Sequence, residues 1–170
     1  MTEPTNPVEP DEVTAGWLFM TATALGLSDA DLAFVLNVRE DTLRKNWKYG
    51  TAPIAPGVRT DLQRFVAFTD ECVDTLVGRA EITDQPALIT YPNLRDVPEG
   101  HLASEYGVTW WDHVVFSVHK RVPEVYVGNL MEVSTAYGID PSRGLATVHD
   151  DPSMLAIYVT PQRTRAGRTV

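Results

Sequence analysis

Apolar residues begin to recur at helical spacing from Val13, and the first run sets Trp17, Met20, Ala24 and Leu27 three and four residues apart, on one face. Gly26 marks its end. Ser28 with Asp31 three residues on is a shortened capping box, and Leu32, Ala33, Val35 and Leu36 supply the buried stripe of a short second helix. Asn37 suits the left-handed conformation of a tight turn, and Val38 is an apolar plug directly after it. A third helix is expected from Arg39 to Tyr49, stopped by Gly50. In it Leu43 and Trp47 face inward one turn apart, while Arg44, Lys45 and Lys48 project outward. Past Pro53, Ile54 and Pro56, the positions Val58, Leu62, Phe65, Val66, Thr69, Val73, Leu76 and Val77 describe a long amphipathic helix expected to pack across the first three.

Gly78, the polar run Thr83-Asp84-Gln85 and Pro86 predict a domain boundary near residue 82. Beyond it the pattern predicts a strand over Ala87 to Tyr91, a helix over Thr109 to Val122, a strand over Val125 to Val127 and a short helix over Leu130 to Tyr137. Leu145 to Val148 and Leu155 to Val159 flank His149-Asp150-Asp151-Pro152-Ser153 as a terminal β-hairpin. Residues 1–12, with Pro4, Pro7 and Pro10 and no apolar period, are expected to be a disordered lead-in. Four segments follow: the lead-in 1–12, a helical domain 13–82, an α+β domain 83–161 and a basic tail 162–170 carrying Arg163, Arg165 and Arg168.

Hydrophobic residues make up 44% of the 170, ample for a packed core. The 14 Lys and Arg against 23 Asp and Glu leave a net charge of -9, which opposes non-specific attraction to a phosphate backbone and moves the question to local charge. Residues 39–64 hold six basic side chains, Arg39, Arg44, Lys45, Lys48, Arg59 and Arg64, against Glu40, Asp41 and Asp61, the most basic large patch in an acidic chain. The single cysteine, Cys72, falls inside an apolar helical pattern and reads as a buried thiol in a reducing cytosol. No run reaches the roughly 18 to 20 apolar residues of a membrane span, and the acidic start lacks the basic opening of a secretion signal, so a cytoplasmic location is expected.

The run from Leu25 to Val58 resembles the lambda-repressor-like (Cro type) helix-turn-helix family. The resemblance lies in Ala33 at the helix crossing, the turn residue Asn37, the plug Val38, the recognition-helix positions Thr42, Leu43 and Trp47, and the exit Gly50 to Pro56 around Ile54. It implies a mainly α N-terminal helix-turn-helix bundle followed by a small α+β domain. It further implies that the third helix enters the major groove of double-stranded DNA, with Arg39, Thr42, Lys45 and Asn46 at base edges. Arg44, Lys48 and Arg59 would contact phosphates. The chain departs from the family at Asp29, where a neutral or basic residue is common, at Glu40 and Asp41, which read as helix caps or as acceptors for cytosine, and in a Thr42-to-Trp47 spacing one residue longer. The alternative is an ordinary four-helix bundle with a solvated charged face.

Residues 87–125 are similar in layout to the second half of small two-domain phage and bacterial regulators of the anti-CRISPR-associated type. The likeness lies in Tyr91, the Thr109-Trp110 pair and the spacing of Trp111, Val114, Val115, Val118 and Val122. It implies a homodimer. Adjacent Trp110 and Trp111 are not expected to share one helix core, so one of them is assigned to a dimer interface or groove; burial of both in a single compact domain is the alternative. His113 and His119, six apart, lack the spacing of helical zinc ligands, and His149 beside two aspartates reads as a polar turn. No glycine-rich phosphate loop, nucleophile elbow or paired catalytic carboxylate stands out, so the expectation is no enzyme, no metal and no cofactor. The function expected is a DNA-binding repressor acting as a homodimer on a two-fold-related operator. The runner-up is a protein-interaction module whose helix-turn-helix fold has lost DNA binding, and a small hydrolase around His101, His113 or His149 comes last.

Overall fold

A computed structural model describes residues 13–83 and 85–138 of the chain, and 157–159 by their backbone. The expected lead-in, the basic tail and the first strand of the terminal hairpin lie outside the described residues. What is described is mostly helical with one small sheet.

Helix α1 (Ala15–Ala24) starts at Thr14, whose Oγ1 accepts from the Trp17 amide at 3.2 Å. Its buried face is Leu18 and Ala22, continued by Leu25 and Leu27 after the helix, whereas Met20 is exposed. The expected face through Trp17, Met20 and Ala24 is therefore rotated by about one residue. The helix is apolar nearly all round and carries little amphipathic bias to choose a face by; packing chose it. Helix α2 (Asp29–Val35) opens with the expected capping box: Ser28 Oγ accepts from the Asp31 amide, and the Asp31 carboxylate accepts from the Ser28 amide. It closes in a Schellman turn. Asn37 sits at φ 51°, its amide bonds the Phe34 carbonyl, and the Val38 amide bonds that of Ala33.

The third helix keeps its expected place but widens. After Glu40 and Asp41, Thr42–Trp47 is π-helical, with the Lys48 amide reaching the Leu43 carbonyl five residues back. Leu43 and Trp47, four residues apart in this stretch, are both buried. Gly57 then starts α3 (Val58–Glu81), a 24-residue helix that buries Val58, Leu62, Phe65, Thr69, Cys72, Val73, Leu76 and Ala80.

Helix α3 ends beside the expected boundary at residue 82, yet apolar packing runs across it as one continuous core. Strands β1 (Pro86–Ile89) and β2 (Tyr126–Gly128) pair in parallel, and β3 (Ile157–Val159) adds to the other side of β1 antiparallel, giving the order β2-β1-β3. Between β1 and β2 run a 3-10 turn (Leu94–Asp96), α4 (Leu102–Tyr106) and α5 (Val108–Arg121); α6 (Leu130–Tyr137) follows β2. Helix α4 has no counterpart in the sequence pattern, being only five residues long. Its cap is His101, whose Nδ1 accepts from the Ala103 amide at 3.0 Å.

Helix α5 packs against α3 and reaches β1 through Trp111, and this corrects the assignment of Trp110 and Trp111 to a dimer interface. Both are wholly buried within the one chain. Trp110 turns to α3, donating from Nε1 to Thr69 Oγ1 at 3.1 Å and stacking on Phe68. Trp111 turns to the sheet, donating from Nε1 to the Ile89 carbonyl at 2.7 Å, with the His101 ring edge-on to it. A helix covered on two sides has room for two neighbouring indoles, and each polar N–H is satisfied. Two tight approaches join the halves. A Cβ on Gly26 would stand 2.4 Å from the Thr109 carbonyl oxygen, and one on Gly107 would stand 2.8 Å from the Asp31 carboxylate.

Candidate nucleic-acid interface

The segment from Arg39 to Lys48 is held from behind and open in front. Leu43 and Trp47 anchor it in the core, and Thr51 ties down its end: the Thr51 hydroxyl donates towards the carbonyls of Lys45 (2.9 Å) and Asn46 (3.1 Å), and its amide donates to the Asn46 carbonyl at 2.8 Å. Thr51 was invisible to pattern reading, because a threonine after a helix-stopping glycine looks like any loop residue. Outward stand Arg39, Arg44, Lys45, Asn46 and Lys48, exposed, with Thr42 half-buried beside them. These six expected site residues therefore share one short segment.

Arg59 is placed apart from them. Its guanidinium lies over the Trp17 ring at 5.4 Å, whereas Lys48 lies over the Phe19 ring at 5.5 Å. Trp17 and Phe19 are two residues apart on α1, roughly 200° around its axis, so the two cations flank α1 on different sides.

The electrostatics of the exposed segment are set by carboxylates. Glu40 pairs with Arg44 at 2.9 Å and Asp41 with Lys45 at 3.2 Å, each one helical turn along. Neither acid serves as a side-chain cap of the π-helical turn, Asp41 standing at its cap position without such a bond. Asp29, from the first turn of α2, reaches Lys48 at 3.3 Å and Arg44 at 3.9 Å. Further along, Asp61 pairs with Arg64 at 3.4 Å. Among the described residues Arg39 is in no ion pair. The local excess of positive charge is thus largely satisfied within the chain. Each exposed pair is worth only about 0 to 1 kcal/mol, so a polyanion could draw the cations away.

No protein-family model matches the sequence, and no curated protein is similar to it. The chemistry of the site must therefore be judged from its own side chains: guanidinium, ammonium, amide and hydroxyl groups on one exposed segment, a set that can donate to phosphates and to base edges.

The described histidines, His101, His113 and His119, all lie outside this segment. Burial holds the His113 imidazole below its usual pKa, partly offset by Asp70, and His119 meets the Val125 carbonyl at 3.3 Å through Nδ1. Among the described residues no three His, Cys, Asp or Glu side chains gather in a way that could hold a metal ion. His149 lies outside the described residues. No single described helix is long and apolar enough to cross a membrane.

Proposed function

We propose that the chain is a sequence-specific DNA-binding regulator of the helix-turn-helix type, a cytoplasmic repressor that acts as a homodimer on a two-fold-related operator. The observation that carries this reading is the mounting of the Arg39-to-Lys48 segment. A box-capped α2, a Schellman turn through left-handed Asn37 and the plug Val38 deliver a short helix whose apolar side is locked by Leu43 and Trp47 and whose polar side is open. Rigid support behind an exposed polar face is what groove recognition requires, since base-edge contacts discriminate only when their donors are positioned. Arg39, Thr42, Lys45 and Asn46 are assigned to base edges, and Arg44, Lys48 and Arg59 to phosphates. The wider π-helical turn offers these side chains at an angular spacing different from that of an α-helix.

The test is selection of bound sequences from a random duplex library at near-physiological salt, with Arg39→Ala, Lys45→Ala and Asn46→Ala proteins alongside. A recovered motif that these substitutions weaken is the expected result, and a two-fold-symmetric motif supports the dimer. The second reading, a protein-interaction module, is favoured by the net charge of -9 and by the pairing of Arg44, Lys45 and Lys48 with carboxylates. A folded wild-type protein that enriches no sequence would overturn the first reading and favour the second.

A further inference from the structure

We infer that Asp29 is an electrostatic brake on DNA binding, its carboxylate occupying, between Arg44 and Lys48, the place a backbone phosphate would take; this rests on the DNA-binding reading above. The ion pairs of the exposed segment fall into two kinds. Glu40 with Arg44 and Asp41 with Lys45 are neighbours one turn apart on the same helix, the ordinary helical pairing of any charged surface. Asp29 is different. It comes from another element, 19 residues from Lys48 in sequence, and reaches two cations at once, 3.3 Å from Lys48 Nζ and 3.9 Å from Arg44 Nε.

Its position is built rather than incidental. The Ser28–Asp31 box fixes the start of α2, and the Gly107 backbone packs against Asp31 from behind. Asp29 is the more covered partner of each pair, its side chain 30% exposed against 57% for Arg44 and 49% for Lys48. The shorter, more covered carboxylate has less freedom than the longer cationic side chains around it. A phosphate approaching Arg44 and Lys48 must compete with its negative charge.

The consequence concerns overall affinity. Non-specific affinity comes almost wholly from releasing counterions at phosphates, whereas base-edge contacts carry the sequence preference. Cancelling charge at the two phosphate-facing cations lowers affinity for every duplex. Arg39, Thr42, Lys45 and Asn46 are left to supply most of what distinguishes one site from the rest. Asp29 thus sets the strength of binding to any duplex without touching a base.

The experiment measures binding of wild type and Asp29→Asn to the selected motif and to a scrambled duplex from low to near-physiological salt. Two further proteins are included: Glu99→Gln, which removes one charge far along the sequence, and Asp29→Asn made in an Arg44→Gln/Lys48→Gln background. Asp29→Asn should tighten binding to the scrambled duplex about tenfold at about 50 mM salt and steepen the log–log salt dependence by about one. It should tighten binding to the motif by a similar factor, leaving the ratio between motif and scrambled duplex nearly unchanged. The gain should vanish in the Arg44→Gln/Lys48→Gln background. A gain no larger than that of Glu99→Gln, or one that survives loss of the two cations, overturns the brake while leaving DNA binding intact. Absence of duplex binding by both wild type and Asp29→Asn at low salt overturns the DNA-binding reading itself, and the brake with it.

Discussion

Replacing Gly26 by alanine should damage this protein far more than the same change at glycines of similar backbone conformation, because Gly26 is where α1 and α5 nearly touch. Gly26 has φ 71°, and a Cβ there would lie 2.4 Å from the Thr109 carbonyl oxygen, 2.9 Å from its carbon and 3.2 Å from the Trp110 nitrogen. Forcing a non-glycine residue into the left-handed region costs about 1 kcal/mol. The contact adds more: restoring an ordinary separation of about 3.5 Å requires α5 to retreat by about 1 Å. Its obstacles are backbone atoms, which cannot rotate away, and the helix that must move carries Trp110 and Trp111 with their bonds to Thr69 and Ile89. Overpacking of this kind costs about 1 to 3 kcal/mol, so the total should be about 3 kcal/mol, a large share of a typical domain's stability. Gly138, at φ 64° with nothing near its Cβ, isolates the conformational part, and Gly138→Ala should lose only about 1 kcal/mol. Urea unfolding of the two variants, followed by tryptophan fluorescence, measures the difference. Equal losses within about 0.5 kcal/mol, a margin set by extrapolation error, would refute the close approach and with it the joining of the two halves through α5.

Two further predictions follow from the core. Trp111→Phe removes the donor to the Ile89 carbonyl and part of a buried indole, and should cost about 2 to 3 kcal/mol in the same urea assay while leaving the sedimentation mass unchanged; a dimer that falls apart would return Trp111 to an interface. Cys72 should resist thiol reagents until the protein is unfolded, since burial, with a smaller contribution from Glu71, pushes its pKa from 9.0 to about 11. Burial likewise raises Tyr91 from 10.0 to about 12. Both groups ionise more readily in the unfolded chain, so their contribution to stability is intact below about pH 9 and is lost as pH rises through 11 and 12. Cys72→Ala should make the alkaline decline shallower; an unchanged decline would show that the thiol is not buried as described.

Much of the candidate site could be read from local pattern. Ser28, Asp31, Asn37, Val38, Leu43 and Trp47 each act through geometry fixed within a few residues, by caps, a left-handed turn or an inward-facing pair. The exposed positions of Arg44, Lys45 and Lys48 follow from the same periodicity. The long-range pairing of Arg44 and Lys48 does not, because the partner of Lys48 and one partner of Arg44 is Asp29, on another helix. Arg59 was grouped with the other cations by charge counting along the chain, yet its ring partner is Trp17 on α1.

The sequence by itself determined the order and approximate span of most helices and strands, the five-residue α4 excepted, because capping, left-handed turns and apolar period are decided by neighbours within about one helical turn. It thereby set out the long α3, the strand–helix–strand order after it and the short polar segment between α2 and α3. Only the tertiary structure decided which faces those elements show one another. Nearly uniform apolarity left the face of α1 open, and the adjacent indoles of α5 found separate partners, Thr69 lying 41 residues from Trp110 and Ile89 lying 22 from Trp111. Contacts at such separations arise from close packing of whole elements, whose side chains must fill one volume together, and no local pattern encodes that choice.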